Sequence, residues 1–350
     1  MRTKLLSLLM LVSLGLVAQN TKLPRIIILG TGGTIAGSGT SSSRAGYTAG
    51  KIPVEDLIGG IPAIKDYATV SGEQISSVGS QDMTIAIWQT LDKRINEIIA
   101  NKEAEGIVIT HGTDTQEETA YFLNLTVRSS DIPVVITGSM RPATGMSADG
   151  PKNLFDAILV AASPKSKGRG VMALFNENIL DGRDIIKVNT TKVEAFSALN
   201  TGPIGQVYDA KVEYYMHNDR SDLKTPFDIS KVTTLPKVEI VYMYADAPAD
   251  AIDMWIAKKV DGIVLGGVGN GNMNAAYMDA VKRAVAAGIK VVRSTRIPAG
   301  RVVLEDEVDD AKLGTIASDD ANPAKARILL MLGLTQTKDT KKLQEYFLTY

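Results

Sequence analysis

Cysteine is absent from this 350-residue chain, and histidine occurs only twice. The first absence excludes thiolate nucleophiles, thiolate metal sites, iron–sulfur clusters and disulfides, so stability must come from packing and from contacts between subunits. The second leaves His111 and His217 as the whole stock for histidine chemistry, too few for a histidine-built metal site. His217 falls in a polar stretch and reads as a surface residue. A Ser-His-Asp triad would therefore need His111, yet neither a G-x-S-x-G elbow nor an H-E-x-x-H motif occurs. Excess charge of one sign is also lacking: 38 basic residues stand against 39 acidic ones, a net charge of -1. That gives no electrostatic case for binding nucleic acid or an anionic membrane surface. Repeats and low-complexity tracts are missing too. Beyond the first twenty residues, no apolar run approaches the ~18 residues that a membrane span requires.

Those first residues form a pattern of their own. "MRTK" is basic, "LLSLLMLVSLGLV" is apolar, and "AQNTK" is small and polar. The order reads as a secretory signal over residues 1–19, with cleavage near 18–22. It implies export, to a periplasm or into the medium, and no membrane attachment after cleavage.

With a hydrophobic share of 45%, the rest of the chain can bury a large core. "RIIIL" (25–29), "GIVIT" (106–110), "PVVIT" (133–137) and "GVMALF" (170–175) are short apolar runs rich in β-branched residues. Helical patterns lie between them, over 82–102 and 115–130. The second opens with Thr115-x-x-Glu118, the spacing of a capping box. Buried strands alternating with helices predict an α/β domain with a mainly parallel sheet, over 23–213. Residues 214–237 are polar with two prolines and read as a linker. The alternation resumes over 238–350, with strands at 238–244, 262–267 and 289–295, helices near 249–259 and 274–288, and a closing helix from about 323. This predicts a second, smaller α/β domain.

Three strand-end loops have unusual chemistry: "GTGGTIAG" after 25–29, "HGTDTQEE" after 106–110 and "GGVGNGN" after 262–265. In parallel sheets, ligands bind beyond the carboxyl ends of strands. The first loop is not a phosphate cradle. A dinucleotide fingerprint fits Gly30 and Gly32 but meets Ile35 where the third glycine belongs. A P-loop fits Gly32 and Gly37 but then has Ser38 and no lysine. A hydroxyl nucleophile served by something other than histidine remains. Thr34 lies among glycines whose backbone amides can approach a developing oxyanion. Thr113 stands beside Asp114. A lysine is a possible base if burial or a neighbouring cation lowers its pKa. Each has a plainer explanation, with Thr34 a turn residue and Asp114 a helix cap. "EDEVDD" (305–310) does not have the spacing of a calcium loop and reads as a solvated acidic turn.

"TGGTIAG" (31–37) followed by "THGTDTQEETAYFL" (110–123) resembles the bacterial L-asparaginases. "GEQISSVGSQDM" (72–83), "GSMRPATGMSADGPKNL" (138–154), "LDGRDIIKVNT" (180–190), "GVGNGNMN" (267–274), "EVDDAK" (307–312) and "NPAKARILLMLGLTQTKD" (322–339) are similar to their exported, type II class. The resemblance covers roughly 23–350. It implies a doubly wound N-terminal domain and hydrolysis of L-asparagine to L-aspartate and ammonia, with slower action on L-glutamine and no cofactor or metal. It implies Thr34 as nucleophile in a flexible lid that also carries Tyr47, which helps activate it. Thr113, Asp114 and Lys187 are implied as a second triad in which the lysine supplies a cation and a proton route. Ser80 and Gln81 would hold the amino-acid end of the substrate, and Asp114 its ammonium. Asn272 and Glu307 would reach the site from a neighbouring subunit of a homotetramer. Two residues pull specificity in opposite directions. Ser139 stands where many asparaginases have Ala and leans toward a broad glutaminase-asparaginase, whereas Asn272 stands where the broad enzymes often have Ser. An exported amino-acid-binding protein with a dead site is the alternative of a different class.

Overall fold

The computed structural model describes residues 22–41, 46–128, 131–216 and 227–350. The expected signal segment and His217 therefore lie outside the described residues. The strands, in chain order, are β1 (Arg25–Gly32), β2 (Thr69–Val78), β3 (Gly106–Thr110), β4 (Val134–Thr137), β5 (Val171–Phe175), β6 (Asn178–Asp181), β7 (Ile186–Lys187), β8 (Phe196–Ser197), β9 (Gly205–Tyr208), β10 (Lys211–Tyr214), β11 (Val238–Tyr242), β12 (Gly262–Gly267), β13 (Lys290–Thr295) and β14 (Ile316–Ala317).

The larger sheet runs β10-β9-β6-β5-β4-β3-β1-β2. Its β2-β1-β3-β4-β5 portion is parallel, and β6, β9 and β10 extend it antiparallel. Successive side chains of a strand face opposite sides. Ile27 and Leu29 thus pack under the helices Ile85–Asn101 and Gln116–Thr126. Ile26 and Ile28 pack with Leu154, Ala157 and Ile158 of the helix Gly150–Ala162 on the other side. Helices on both faces explain why "RIIIL" is apolar throughout rather than alternating. The fold is the doubly wound α/β arrangement that the sequence predicts.

The smaller sheet, β11-β12-β13-β14, is wholly parallel. The helix Pro323–Gly333 joins the two parts. Ile328, Leu329, Leu330, Met331 and Leu332 are buried on every side, in one apolar cluster with Phe122 of the first domain and Val264 of the second. Fully burying such a side chain stabilises by ~1.5–3 kcal/mol. The segment read as a linker, 214–237, falls partly outside the described residues. Of the remainder, Tyr214 ends β10, and Phe227, Ile229 and Leu235 are buried in the same cluster.

Candidate active site

The strand order changes direction at β1: the chain passes from β1 to β2 on one side, then back to β3 on the other. The two loops that leave β1 and β3 diverge there, which opens a crevice at the carboxyl end of the sheet. The loop after β1 turns at Gly32 (φ 109°) and Gly33 (φ 80°), a region that L side chains rarely adopt. A Cβ on Gly33 would stand 2.3 Å from the backbone nitrogen of Gly112, and one on Gly112 would stand 2.6 Å from Ser80 Oγ. Glycine at both positions thus lets the Gly33 and Gly112 backbones meet directly and the Ser80 side chain pack against Gly112. Ser80 follows β2 in a single 3-10 turn, Ser80–Asp82, and its Oγ accepts from the Asp114 amide at 3.0 Å. Thr115 Oγ1 donates to the Ser80 carbonyl at 2.8 Å. The expected capping box is therefore not formed: Thr115 is the N-cap of the helix Gln116–Thr126, but its hydroxyl is occupied by Ser80.

These contacts set Thr34, buried at the start of the 3-10 turn Thr34–Ala36, beside the Thr113 loop. Thr34 Oγ1 lies 2.5 Å from the hydroxyl of Tyr47. The returning backbone holds that tyrosine: Ser38 bridges Thr48, and the amides of Lys51 and Ile52 donate to the Ala36 carbonyl at 2.7 and 2.9 Å. Lys187 Nζ donates to Thr113 Oγ1 at 2.9 Å and to Asp114 Oδ1 at 2.7 Å. An ammonium only donates, so Thr113 accepts here and keeps its own proton for another partner. The Lys187 side chain is 17% exposed and that of Asp114 61%, so solvent screens the pair on the carboxylate side. Thr34, Tyr47, Thr113, Asp114 and Lys187 line one open cleft of about 670 Å³.

The other expected substrate ligands are arranged differently. Ser80 touches the cleft loop through Asp114. Gln81 beside it is exposed, close over Gly79. Asn272 donates to Glu307 in a tight hydrogen bond, at the turn after β12 where Gly269 (φ 52°) and Gly271 (φ 71°) bend the chain. Neither of this pair lines the cleft of the same chain. Glu307 belongs to the acidic run, of which Glu305, Asp306, Glu307 and Asp309 are exposed, as expected of a solvated turn, and Asp310 is the exception. Asp310 is buried and paired with Arg293 of β13 at 2.5 Å. Asp306 accepts from Asn270, and Asp309 caps the helix Asp310–Leu313.

His111 is fully buried, and burial lowers its pKa to about 4. Its Nδ1 lies 2.6 Å from the Gly112 carbonyl, which can only accept, so Nδ1 carries the proton. Nε2 then accepts from Thr119 Oγ1 at 2.9 Å, and that hydroxyl accepts in turn from the Trp88 indole at 2.7 Å. Both ring nitrogens are engaged in holding the β3 loop, and neither serves a threonine nucleophile. Ser139 is equally internal, with its hydroxyl donating to the Arg141 carbonyl at 2.8 Å. Sequence reasoning gave no role to several residues lining the cleft, among them Arg141, Met146, Ser147 and Thr191. They lie on loops with no strand or helix pattern to mark their direction. Among the described residues, no group of three or more His, Cys, Asp or Glu could hold a metal, and no helix is long and apolar enough to cross a membrane.

Comparison with known proteins gives the same frame. The family model for the Asparaginase N-terminal domain matches residues 25–220, and that for the Glutaminase/Asparaginase C-terminal domain matches 237–347. The chain is 50% identical to "L-asparaginase 2" of Escherichia coli (strain K12) over 94% of each protein. It is 48% identical to "Probable L-asparaginase periplasmic" of Haemophilus influenzae over 99% of each. It is 41% identical to the "Glutaminase-asparaginase" of Pseudomonas fluorescens biotype A, over 95% of this chain and 92% of the relative. Among solved structures, a probable cytoplasmic L-asparaginase from Campylobacter jejuni superposes with a TM-score of 0.89 at 46% identity, covering 93% of this chain and 99% of that one. With both family models in order along the chain and a doubly wound fold presenting two threonine loops at its switch point, the chain belongs to the Asparaginase family.

Proposed function

We propose that the protein hydrolyses the side-chain amide of L-asparagine to L-aspartate and ammonia, with weaker action on L-glutamine. The observation that carries the reading is one cleft holding two differently served hydroxyls, Thr34 against Tyr47 and Thr113 against Lys187 and Asp114. Thr34 Oγ attacks the amide carbon while its proton moves toward the Tyr47 oxygen. The C–N bond breaks as the Tyr47 hydroxyl, having received the Thr34 proton, passes one on to the nitrogen, which leaves as ammonia, and an ester remains on Thr34. Water then adds to the ester carbon, and the Thr113 hydroxyl, polarised by Lys187, takes up one of its protons while passing its own on. The bond from carbon to Thr34 Oγ breaks, the relayed proton restores the Thr34 hydroxyl, and aspartate leaves with its remaining acid proton lost to solvent. Splitting amide cleavage into two steps lowers each barrier.

Ser80 and Gln81 hold the amino-acid end, and Asp114 accepts from the substrate ammonium in a charge-assisted bond. Asn272 and Glu307 of the partner subunit complete that end in a homotetramer, which agrees with their absence from the cleft of their own chain. The chain divides into domains 23–213 and 238–350 joined by 214–237. It is exported after removal of residues 1–19, as the name of the Haemophilus relative suggests for that protein.

Relatives bearing the name glutaminase-asparaginase at about 40% identity favour broad specificity as a second reading. A methylene in a pocket discriminates by only ~1–3 kcal/mol, so selectivity must come from how rigidly the ammonium end is held. Asn272, tied to Glu307, restricts that end, whereas the Ser139 hydroxyl is occupied internally. Side-by-side kcat/KM values for asparagine and glutamine test this. Strong preference for asparagine, narrowed by Asn272→Ser, is expected. Equal values would favour the broad reading, and no ammonia from either substrate would sink both.

A further inference from the structure

Lys187 sits on a strand of two residues, β7, paired antiparallel with β8. So short a ladder does not by itself hold a side chain to within the tolerance that proton transfer requires. The Val188 amide donates to the Ala195 carbonyl at 2.8 Å, so by alternation the Lys187 amide faces away from β8, as an edge amide does. It finds a partner nonetheless: Lys187 N donates to Glu117 Oε2 at 2.6 Å. Glu117 lies in the first turn of the helix Gln116–Thr126, which begins two residues after Asp114. Its second oxygen, Oε1, accepts from Asn322 Nδ2 at 3.0 Å. Asn322 is the N-cap of the buried helix Pro323–Gly333, accepting from the Lys325 amide. One carboxylate therefore ties the backbone of Lys187 to the helix that directly follows Thr113 and Asp114, and both to the helix that joins the domains.

We propose that Glu117 is a positioning residue, which sets the Lys187 ammonium between Thr113 and Asp114 by clamping the Lys187 backbone. The inference rests on the catalytic reading of Lys187 above. Both ends of the Lys187–Thr113 contact are referred to Glu117, one through the Lys187 amide and the other through the short stretch of chain from 113 to 117. Removing the carboxylate leaves β7 held on one side only, and the ammonium is free to drift with the hairpin. Glu117 also faces the buried Lys325 ammonium. Burial lowers the Lys325 pKa to about 8, and the negative charge of Glu117 acts against that lowering. A neutral residue at 117 therefore weakens the domain junction as well, and the test must separate stability from positioning.

Glu117→Ala and Glu117→Gln answer that, assayed for kcat and KM on asparagine with melting temperature measured in parallel. Displacing a catalytic group by about 1 Å lowers rate by on the order of 100-fold. Glu117→Ala should therefore lower kcat by roughly 10- to 100-fold with KM within about threefold, because Lys187 serves the chemistry and not the ammonium or carboxylate of the substrate. The glutamine amide keeps one accepting oxygen, so Glu117→Gln should recover part of kcat at a similar KM. If Glu117→Ala does not fold, the kcat and KM of Glu117→Gln alone decide the matter. Wild-type kcat in the folded variants overturns the inference, as do kcat and KM worsening together in step with melting temperature. A wild-type protein inert on asparagine would instead overturn the function beneath it.

Discussion

Replacing Gly33 by alanine tests whether backbone contact between the β1 and β3 loops builds the site. Gly33 adopts φ 80° and ψ -172°, a region essentially confined to glycine, which costs an L residue roughly 1–3 kcal/mol. Its amide donates to Val78 at 2.9 Å and its carbonyl accepts from Gly50 at 3.2 Å, so the peptide cannot rotate away without losing both. The added Cβ would lie 2.3 Å from Gly112 N, 2.4 Å from Gly112 Cα and 2.7 Å from the His111 carbonyl carbon. These are backbone atoms, and they cannot swing aside as a side chain would. Relief requires the two loops to part by about 1 Å, and the residues next along each loop are Thr34 and Thr113. A shift of that size in catalytic geometry costs on the order of 100-fold in rate. Gly33→Ala should thus lose at least that factor in kcat/KM for asparagine, together with about 2 kcal/mol or more of stability in urea unfolding. A folded variant with wild-type kcat/KM and stability would refute the argument that this approach sets the site.

Two further substitutions probe groups away from the cleft. Burial and, to a smaller degree, Asp228 raise the Asp92 carboxyl to about 6. A carboxyl raised in the folded state is protonated there while still ionised in the unfolded chain, so it weakens stability progressively as pH climbs from about 4 to 6, and the full penalty persists above. Asp92→Asn should therefore stabilise by ~1–3 kcal/mol at pH 7.5 and give no gain at pH 4; an equal gain at both would show that charge is not the cause. Gln116 is buried with both amide atoms lacking a hydrogen-bond partner among the described residues, packed against Gly138 behind Thr113. Gln116→Met, of similar length and apolar, should raise unfolding free energy by ~1–3 kcal/mol, and a loss of stability would mean that the amide is satisfied by a bound water.

The sequence made the parallel strands legible because helices cover both faces, leaving unbroken β-branched runs such as 106–110, which coincides with β3. β2 was missed: it is half exposed and contains Gly72 and three serines, so no run or alternation marks it. β6, β9 and β10 are four residues each, too short for a period to emerge. Thr34 and Thr113 could be singled out because each stands beside glycine just past a strand. Lys187 could not, since a two-residue strand has no local signature, and it came from family resemblance instead. Thr115 looked like a cap because the pattern is local, whereas its partner Ser80 is 35 residues away. The acidic run is solvated as it looked except at Asp310, whose burial could not be read locally because it depends on Arg293, 17 residues away in β13.

The central claim is that Thr34 carries amide hydrolysis, and ammonia release from asparagine by Thr34→Ala beside the wild type tests it most directly. Removing a covalent nucleophile should lower kcat by several orders of magnitude. Thr34 is buried in a turn held by backbone hydrogen bonds, among them Gly37 N to Thr34 O at 2.8 Å, which alanine preserves, so the variant should fold as the wild type does. A folded Thr34→Ala protein that kept about a tenth or more of wild-type turnover would contradict the account.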